Sequence, residues 1–129
     1  MIVGTSLFDG TIAVLGLARS GLSTVRALMA GGNRVIVWDD SRERVAYAAR
    51  IGIPIADSAD FDWRGIAALV PSPGVPVDHQ TMVSARAAGV EIVGDVELLW
   101  RALPERKYIG ITGTNGKSTT TALIGHILE

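Results

Sequence analysis

Thr11-Ile12-Ala13-Val14-Leu15-Gly16-Leu17-Ala18-Arg19-Ser20-Gly21 is the stretch from which the fold is read. Its first five residues show no polar alternation, which predicts a strand buried on both faces of a parallel sheet. The strand runs straight into Gly16-x-Ala18-x-x-Gly21. Ser20 is placed to cap a following helix whose apolar residues Leu22, Val25, Leu28 and Met29 recur at helical spacing. Gly31-Gly32 stops that helix, because glycine accepts the left-handed conformation at a helix end. Arg34–Trp38 reads as a second strand, so the three elements make a right-handed βαβ unit.

The alternation continues outward. A helix from Ser41 carries Val45, Ala48, Ala49 and Ile51 and is closed by Gly52. Ile53-Pro54-Ile55-Ala56 is expected to be a third strand at the sheet edge, since Pro54 lacks an N–H. A polar loop over 57–65 has Phe61 and Trp63 as packing anchors. Residues 66–70 form a fourth strand, 81–88 a helix ended by Gly89, and 90–93 a fifth strand. The fold class is therefore α/β: a Rossmann-like doubly wound parallel sheet of about five strands over residues 1–94. Residues 1–10 are an arm ending in the turn signal Asp9-Gly10. Residues 95–107 hold a short helix capped by Asp95 and the linker Pro104-Glu105-Arg106-Lys107.

A second glycine loop follows the linker: Ile109-Gly110-Ile111-Thr112-Gly113-Thr114-Asn115-Gly116-Lys117-Ser118-Thr119. A short run, 108–112, predicts a strand. Lys117-Ser118-Thr119 opens a segment with Ala122, Leu123, Ile124, Ile127 and Leu128 at apolar spacing. Strand, loop and helix are the context of a phosphate-binding P-loop. Gly113 and Gly116 let backbone N–H groups converge on a polyphosphate. Lys117 would neutralise β/γ-phosphate charge, and the Ser118 hydroxyl would ligate Mg²⁺. The common pattern has glycine at position 111, where this chain has Ile111. Residues 108–129 are thus expected to be the first strand–P-loop–helix of a truncated second domain. Without its sheet, the segment 105–129 is expected to pack on the first domain or to self-associate with a neighbouring molecule.

Composition excludes several classes. With 48% hydrophobic and 19% charged residues the chain is globular rather than disordered. A net charge of −1 gives no electrostatic case for nucleic acid or an anionic membrane. No apolar run approaches the ~20 residues of a membrane span, and residues 1–10 do not form a secretory signal. The absence of cysteine rules out disulfides and thiolate metal sites and fits a reducing, cytoplasmic setting.

Gly16-x-Ala18-x-x-Gly21 is similar to the dinucleotide fingerprint with alanine at its second glycine. Ala18 crowds a dinucleotide without forbidding a diphosphate at the helix N-terminus. Arg19 could add a charge contact or simply be solvated. Asp39 ends the second strand, where an acid in dinucleotide binders bonds the ribose; a helix-capping role is the alternative, open also to Asp40 and Ser41. Ser72-Pro73-Gly74 lies at the C-terminal edge of the fourth strand, either a pre-shaped binding loop or an ordinary turn. His79 and His126 lack acidic or cysteine partners at ligand spacing and read as surface helix residues. The helix dipole accounts for Glu97.

Together, Gly16–Gly21, Asp39, Ser72-Pro73-Gly74, Gly94-Asp95-Val96-Glu97-Leu98 and Thr112-Gly113-Thr114-Asn115-Gly116-Lys117-Ser118 resemble the Mur ligases of peptidoglycan synthesis. The family's P-loop departs from the common pattern as this one does. The Ser-Pro-Gly and Gly-Asp-Val-Glu-Leu stretches point to the D-glutamate-adding branch. The resemblance implies an ATP-dependent amide-bond ligase that acts on UDP-N-acetylmuramoyl-L-alanine and D-glutamate through an acyl phosphate. It implies that the diphosphate of the UDP-substrate rests on the Arg19–Ser20–Gly21 amides and its uracil lies near Asp39 and Asp40. Gly74 would close over it, with Ser72 also among the residues of the UDP-substrate site. It implies that Gly113, Thr114, Asn115, Gly116, Lys117, Ser118 and Thr119 hold ATP, with Lys117 catalytic and Ser118 on Mg²⁺. Where the family commonly has threonine after the strand-two acid, this chain has Asp40. The full-length enzyme is expected to be monomeric, and the 129-residue chain alone inactive. The rival class is the cofactor domain of a NAD-dependent dehydrogenase, supported by Gly16, Gly21 and Asp39; the downstream P-loop and Ala18 speak against it.

Overall fold

The computed structural model describes residues 7–129, so the expectations for residues 1–6 lie outside the described residues. Strand β1 (Thr11–Leu15) is the centre of a parallel sheet. It pairs with β2 (Arg34–Trp38) on one side and β3 (Ile66–Pro71) on the other, and β4 (Glu91–Ile92) joins β3. The order is β2-β1-β3-β4. In register, Val14 stands opposite Val37 and Val70.

Alternate residues of β1 feed two cores, as the pleat requires. Ile12 and Val14 pack with Val35, Val37, Ala68 and Val70 beneath helices α1 (Arg19–Ala30) and α2 (Arg42–Arg50), whose Val25, Leu28 and Ala48 are buried. Ala13 and Leu15 pack on the other face with Leu69, Phe61 and the Met82 and Ala85 of α3 (Gln80–Ala87). Helices on both faces make the sheet doubly wound. Phe61 and Trp63 anchor their loop as expected, edge to face with centroids 5.5 Å apart.

The same backbone device ends α1, α2 and α3. Gly32, Gly52 and Gly89 take positive φ, and the next residue's N–H reaches back five positions: Asn33 to Leu28, Ile53 to Ala48, Val90 to Ala85. This corrects the expected strand at 53–56. Ile53 uses its N–H on the helix end and Pro54 has none to offer, so a single parallel bridge, Val37 to Ile55, remains. The sheet consequently has four strands rather than about five. Asn33 also works from the cap outward: its Nδ2 donates to the Leu28 carbonyl and its Oδ1 accepts from the Leu7 amide.

Helix α4 (Asp95–Ala102) packs on the first core through Leu98, which is 2% exposed. Beyond it the expectations need two corrections. Residues 108–112 form no strand, because no neighbouring strand meets their N–H and C=O groups. The following helix does form, as α5 (Lys117–Leu128), but it buries no residue. Docking of 105–129 on the first domain is likewise absent: only Ile111 and Ile124 are half-buried there and the rest are exposed. The segment is tied to the end of α4 and just beyond: the Tyr108 hydroxyl donates to the Leu103 carbonyl at 2.8 Å and the Leu99 carbonyl at 3.2 Å, and the Arg106 amide donates to the Leu103 carbonyl at 3.1 Å. Among the described residues, no helix is long and apolar enough to cross a membrane.

Candidate functional site

Because the chain leaves β1 toward β2 on one side and later places β3 on the other, the loops after β1 and β3 part above the sheet. That switch point is where open α/β sheets bind ligands. A cavity of about 420 Å³ lies there, against Gly16 and Ala18 after β1, Asp39 and Asp40 after β2, and Ser72 and Gly74 after β3.

The floor is a tightly determined loop. Gly16 has φ of 93°, a region closed to most side chains, and a Cβ there would sit 2.9 Å from that of Ser72. Its N–H donates to the Trp38 carbonyl at 2.9 Å. The Ser72 amide donates to the Leu15 carbonyl and its hydroxyl to the Gly16 carbonyl, both at 2.8 Å. Gly21 presses on the same knot: a Cβ would overlap the Gly16 carbonyl and reach within 2.5 Å of Ser72 Oγ. Glycine at 16 and 21 and the small Ser72 are therefore packing requirements. Gly74 is different, since a Cβ there would meet nothing within 4 Å and packing does not require glycine.

Helix α1 begins two residues earlier than expected, with Ala18 as its N-cap and no side chain capping it. Leu22 is the first residue whose N–H finds a helical carbonyl, that of Ala18. The N–H groups of Arg19, Ser20 and Gly21 precede it and carry the positive end of the helix dipole. Ser20 is not the cap. Its hydroxyl donates instead to Asp95 Oδ2 at 2.8 Å, pinning α1 to α4 across 75 residues. The Arg19 side chain is exposed, without an ion-pair partner among the described residues.

Asp39 is 6% exposed and held by its own loop. Oδ2 accepts the Leu17 amide and Oδ1 the Ser41 amide, each at 2.7 Å, and the Arg44 guanidinium approaches at 3.4 Å. Burial pushes the carboxyl up, but the two amides and Arg44 together outweigh it and hold the group below the ordinary carboxylate range. The carboxylate thus fastens the glycine loop to the end of β2.

Sequence reading missed two residues on this cavity. Arg44 stands one helical turn beyond Ser41, whose Oγ caps α2 by accepting the Arg44 amide at 3.4 Å. His79 corrects the expectation of a partnerless surface histidine. Its Nε2 lies 2.9 Å from Asp40 Oδ2, and its Nδ1 accepts the Thr81 amide at 3.1 Å as the cap of α3. A signal for the cap was present, one residue before the helix. The partner was not readable, being 39 residues away.

The residues 113–119 gather at a separate place. Gly116, with φ of 76°, is the N-cap of α5, and Thr120 is the first residue to bond back, to its carbonyl. The N–H groups of Lys117, Ser118 and Thr119 are left facing a cavity of about 310 Å³ lined by Thr114–Thr119. The Lys117 ammonium bends onto the Gly113 carbonyl. Among the described residues no cluster of three His, Asp or Glu side chains could hold a metal ion.

The family described as Mur ligase MurD-like, N-terminal domain, matches residues 10–94. A UDP-N-acetylmuramoylalanine–D-glutamate ligase of Brucella abortus is 50% identical over 137 residues, spanning all of this chain and 29% of the relative. The chain therefore covers under a third of the length of such relatives. Among solved structures, the UDP-N-acetylmuramate-alanine ligase MurC of Thermotoga maritima superposes with a TM-score of 0.60 at 31% identity, over 93% of this chain and 29% of that one. Shikimate dehydrogenase from Aquifex aeolicus superposes at 0.53 with 14% identity, over 91% of this chain and 55% of that one, a likeness of fold alone. With the glycine knot, the Asp39 anchor and the switch-point cavity in place, the match over residues 10–94 shows that the chain belongs to the Mur ligases, as a MurD-like N-terminal domain.

Proposed function

We propose that this chain supplies the UDP-substrate site, and one phosphate-binding loop, of an ATP-dependent amide-bond ligase that joins D-glutamate to UDP-N-acetylmuramoyl-L-alanine. The observation that carries this reading is the 50% identity, over the whole chain, to a relative whose name states that activity. The first cavity suits the nucleotide half of such a substrate. The N–H groups of Arg19, Ser20 and Gly21, which meet no carbonyl among the described residues, offer an anion site at a helix start. Asp39, Asp40 and Arg44 line the cavity after β2, where Arg44 offsets Asp39 and the exposed Asp40 carboxylate can accept from the N–H and hydroxyl donors of a nucleoside.

The second loop fits ATP by the same chemistry: unbonded amides at 117–119, a lysine within reach of the loop, and hydroxyls at Ser118 and Thr119. Gly113 to Thr119 would hold the phosphates. Ser118 would be the loop's ligand for Mg²⁺, leaving most positions to phosphate oxygens and water. Bound ATP supplies the phosphoryl group that activates a carboxylate. Lys117 would leave the Gly113 carbonyl and place its charge where negative charge builds up. A cytoplasmic setting accompanies this reading.

Titration calorimetry with UDP and with NAD tests the nucleotide assignment. UDP is expected to bind more tightly, because Ala18 at the helix cap crowds a dinucleotide. Tighter binding of NAD overturns it.

A further inference from the structure

Three side-chain hydrogen bonds join the loops around the first cavity into a ring. Asp39 ties the end of β2 to the loop after β1 through the Leu17 amide. Ser72 ties the end of β3 to that same loop through the Gly16 carbonyl. His79, at the start of α3, reaches Asp40 after β2 and closes the circuit. The first of these ties is buried, whereas the third stands at the mouth, with Asp40 71% exposed and His79 18%.

The geometry fixes the state of the imidazole. Nδ1 accepts the Thr81 amide, so it carries no proton and Nε2 does. Nε2–H therefore donates to the Asp40 carboxylate, a bond strengthened by the acceptor's charge. Asp40 Oδ1 keeps its lone pairs, with no protein partner among the described residues, and the residue lines the cavity. Charge then sets the ligand's direction. Arg44 offsets the buried Asp39 carboxylate, which leaves Asp40 as the uncompensated negative group after β2 and the amides at the start of α1 as the more favourable place for a diphosphate.

We propose that His79 is a positioning residue for the nucleoside half of the ligand, acting through Asp40. This rests on the reading that the cavity takes a uridine diphosphate compound. By holding one Asp40 oxygen, His79 aims the other at ligand N–H or O–H donors and fixes the far wall before the ligand arrives.

The test uses the chain with His79→Asn, whose short carbonyl can still cap α3 at the Thr81 amide but cannot reach Asp40. Calorimetry with UDP should show affinity falling about tenfold, the order expected for a hydrogen bond to a charged group. Affinity for inorganic pyrophosphate should hold within about twofold, because the α1 amides are untouched. In an Asp40→Ala background, His79→Asn should add no further loss for UDP, as a residue acting through another requires. Equal loss of both ligands, undiminished UDP affinity, or additive losses in the double variant each overturn the proposal. If the unaltered chain takes pyrophosphate but not UDP, the nucleotide reading itself has failed and this inference falls with it.

Discussion

Among the described residues, two glycine loops open helices and each leaves three backbone N–H groups unbonded, at Arg19–Gly21 and at Lys117–Thr119. Their surroundings differ completely. The first is fixed by residues far away in sequence: Trp38 receives the Gly16 amide, Asp39 receives that of Leu17, and Ser72 donates to Gly16. The second is held from within, by Lys117 on Gly113, and every residue from 113 to 119 is exposed. A motif therefore specifies a capability, while its neighbours specify how rigidly the geometry is held. The first loop keeps its shape without a ligand. The second is the kind of segment whose local opening lies far below global unfolding in free energy.

Alanine in place of a loop glycine should separate the two most strongly. Gly21→Ala drives a Cβ into the Gly16 carbonyl and Ser72, backbone and short side chain that cannot swing away. It is expected to lower stability by about 3 kcal/mol or more in urea unfolding. Gly116→Ala meets no atom within 4 Å and carries only the strain of its positive φ, about 1 kcal/mol. Because α5 buries nothing, that strain should leave the main unfolding transition unmoved. Equal losses at the two positions would show that the loops are not held differently.

Asp39→Asn comes next. It sets an amide NH₂ against one of two backbone N–H groups that now share the carboxylate, for about 2 kcal/mol. The wild-type chain should show the matching pH dependence. Its carboxyl titrates lower when folded than when unfolded, so its stabilisation is complete above the ordinary value of about 4. That stabilisation is lost as pH falls from there toward the lower folded value. Unfolding midpoints between pH 6 and pH 3 should therefore fall less steeply in Asp39→Asn than in wild type. The smallest effect belongs to Lys117→Ala, which should not shift the midpoint at all, since its bond is exposed and local. A measurable loss there would mean that the second loop is tied to the domain.

What could be read in the sequence was whatever neighbouring residues decide. The apolar run of β1, the spacing of Val25 and Leu28, and the glycine stops at 32, 52 and 89 all follow from local chemistry. The errors arose where distant partners decide. Residues 108–112 have strand character but no strand to pair with, and Ile53 lost its N–H to a helix end. Ser20 has the composition of a cap, yet Asp95 draws its hydroxyl away. Around the cavity, Asp39 and Ser72 were recognisable from their positions at strand ends. His79 was not, because only the fold brings it to Asp40.

The glycine stops that end the helices also decide how the sheet meets other molecules. At one margin Ile53 turns its amide inward and Pro54 has none, so a single bridge follows β2. At the other, Val90 does the same and β4 is left with two residues. Its Glu91 is engaged by Arg101 at 2.5 Å, and Arg101 also holds Glu97. Among the described residues, an incoming strand thus finds no long row of open amides to extend, only two rungs of β4 beside a charged cluster. In a chain whose net charge of −1 gives little mutual repulsion, where the helices stop is therefore expected to be what limits edge-to-edge pairing.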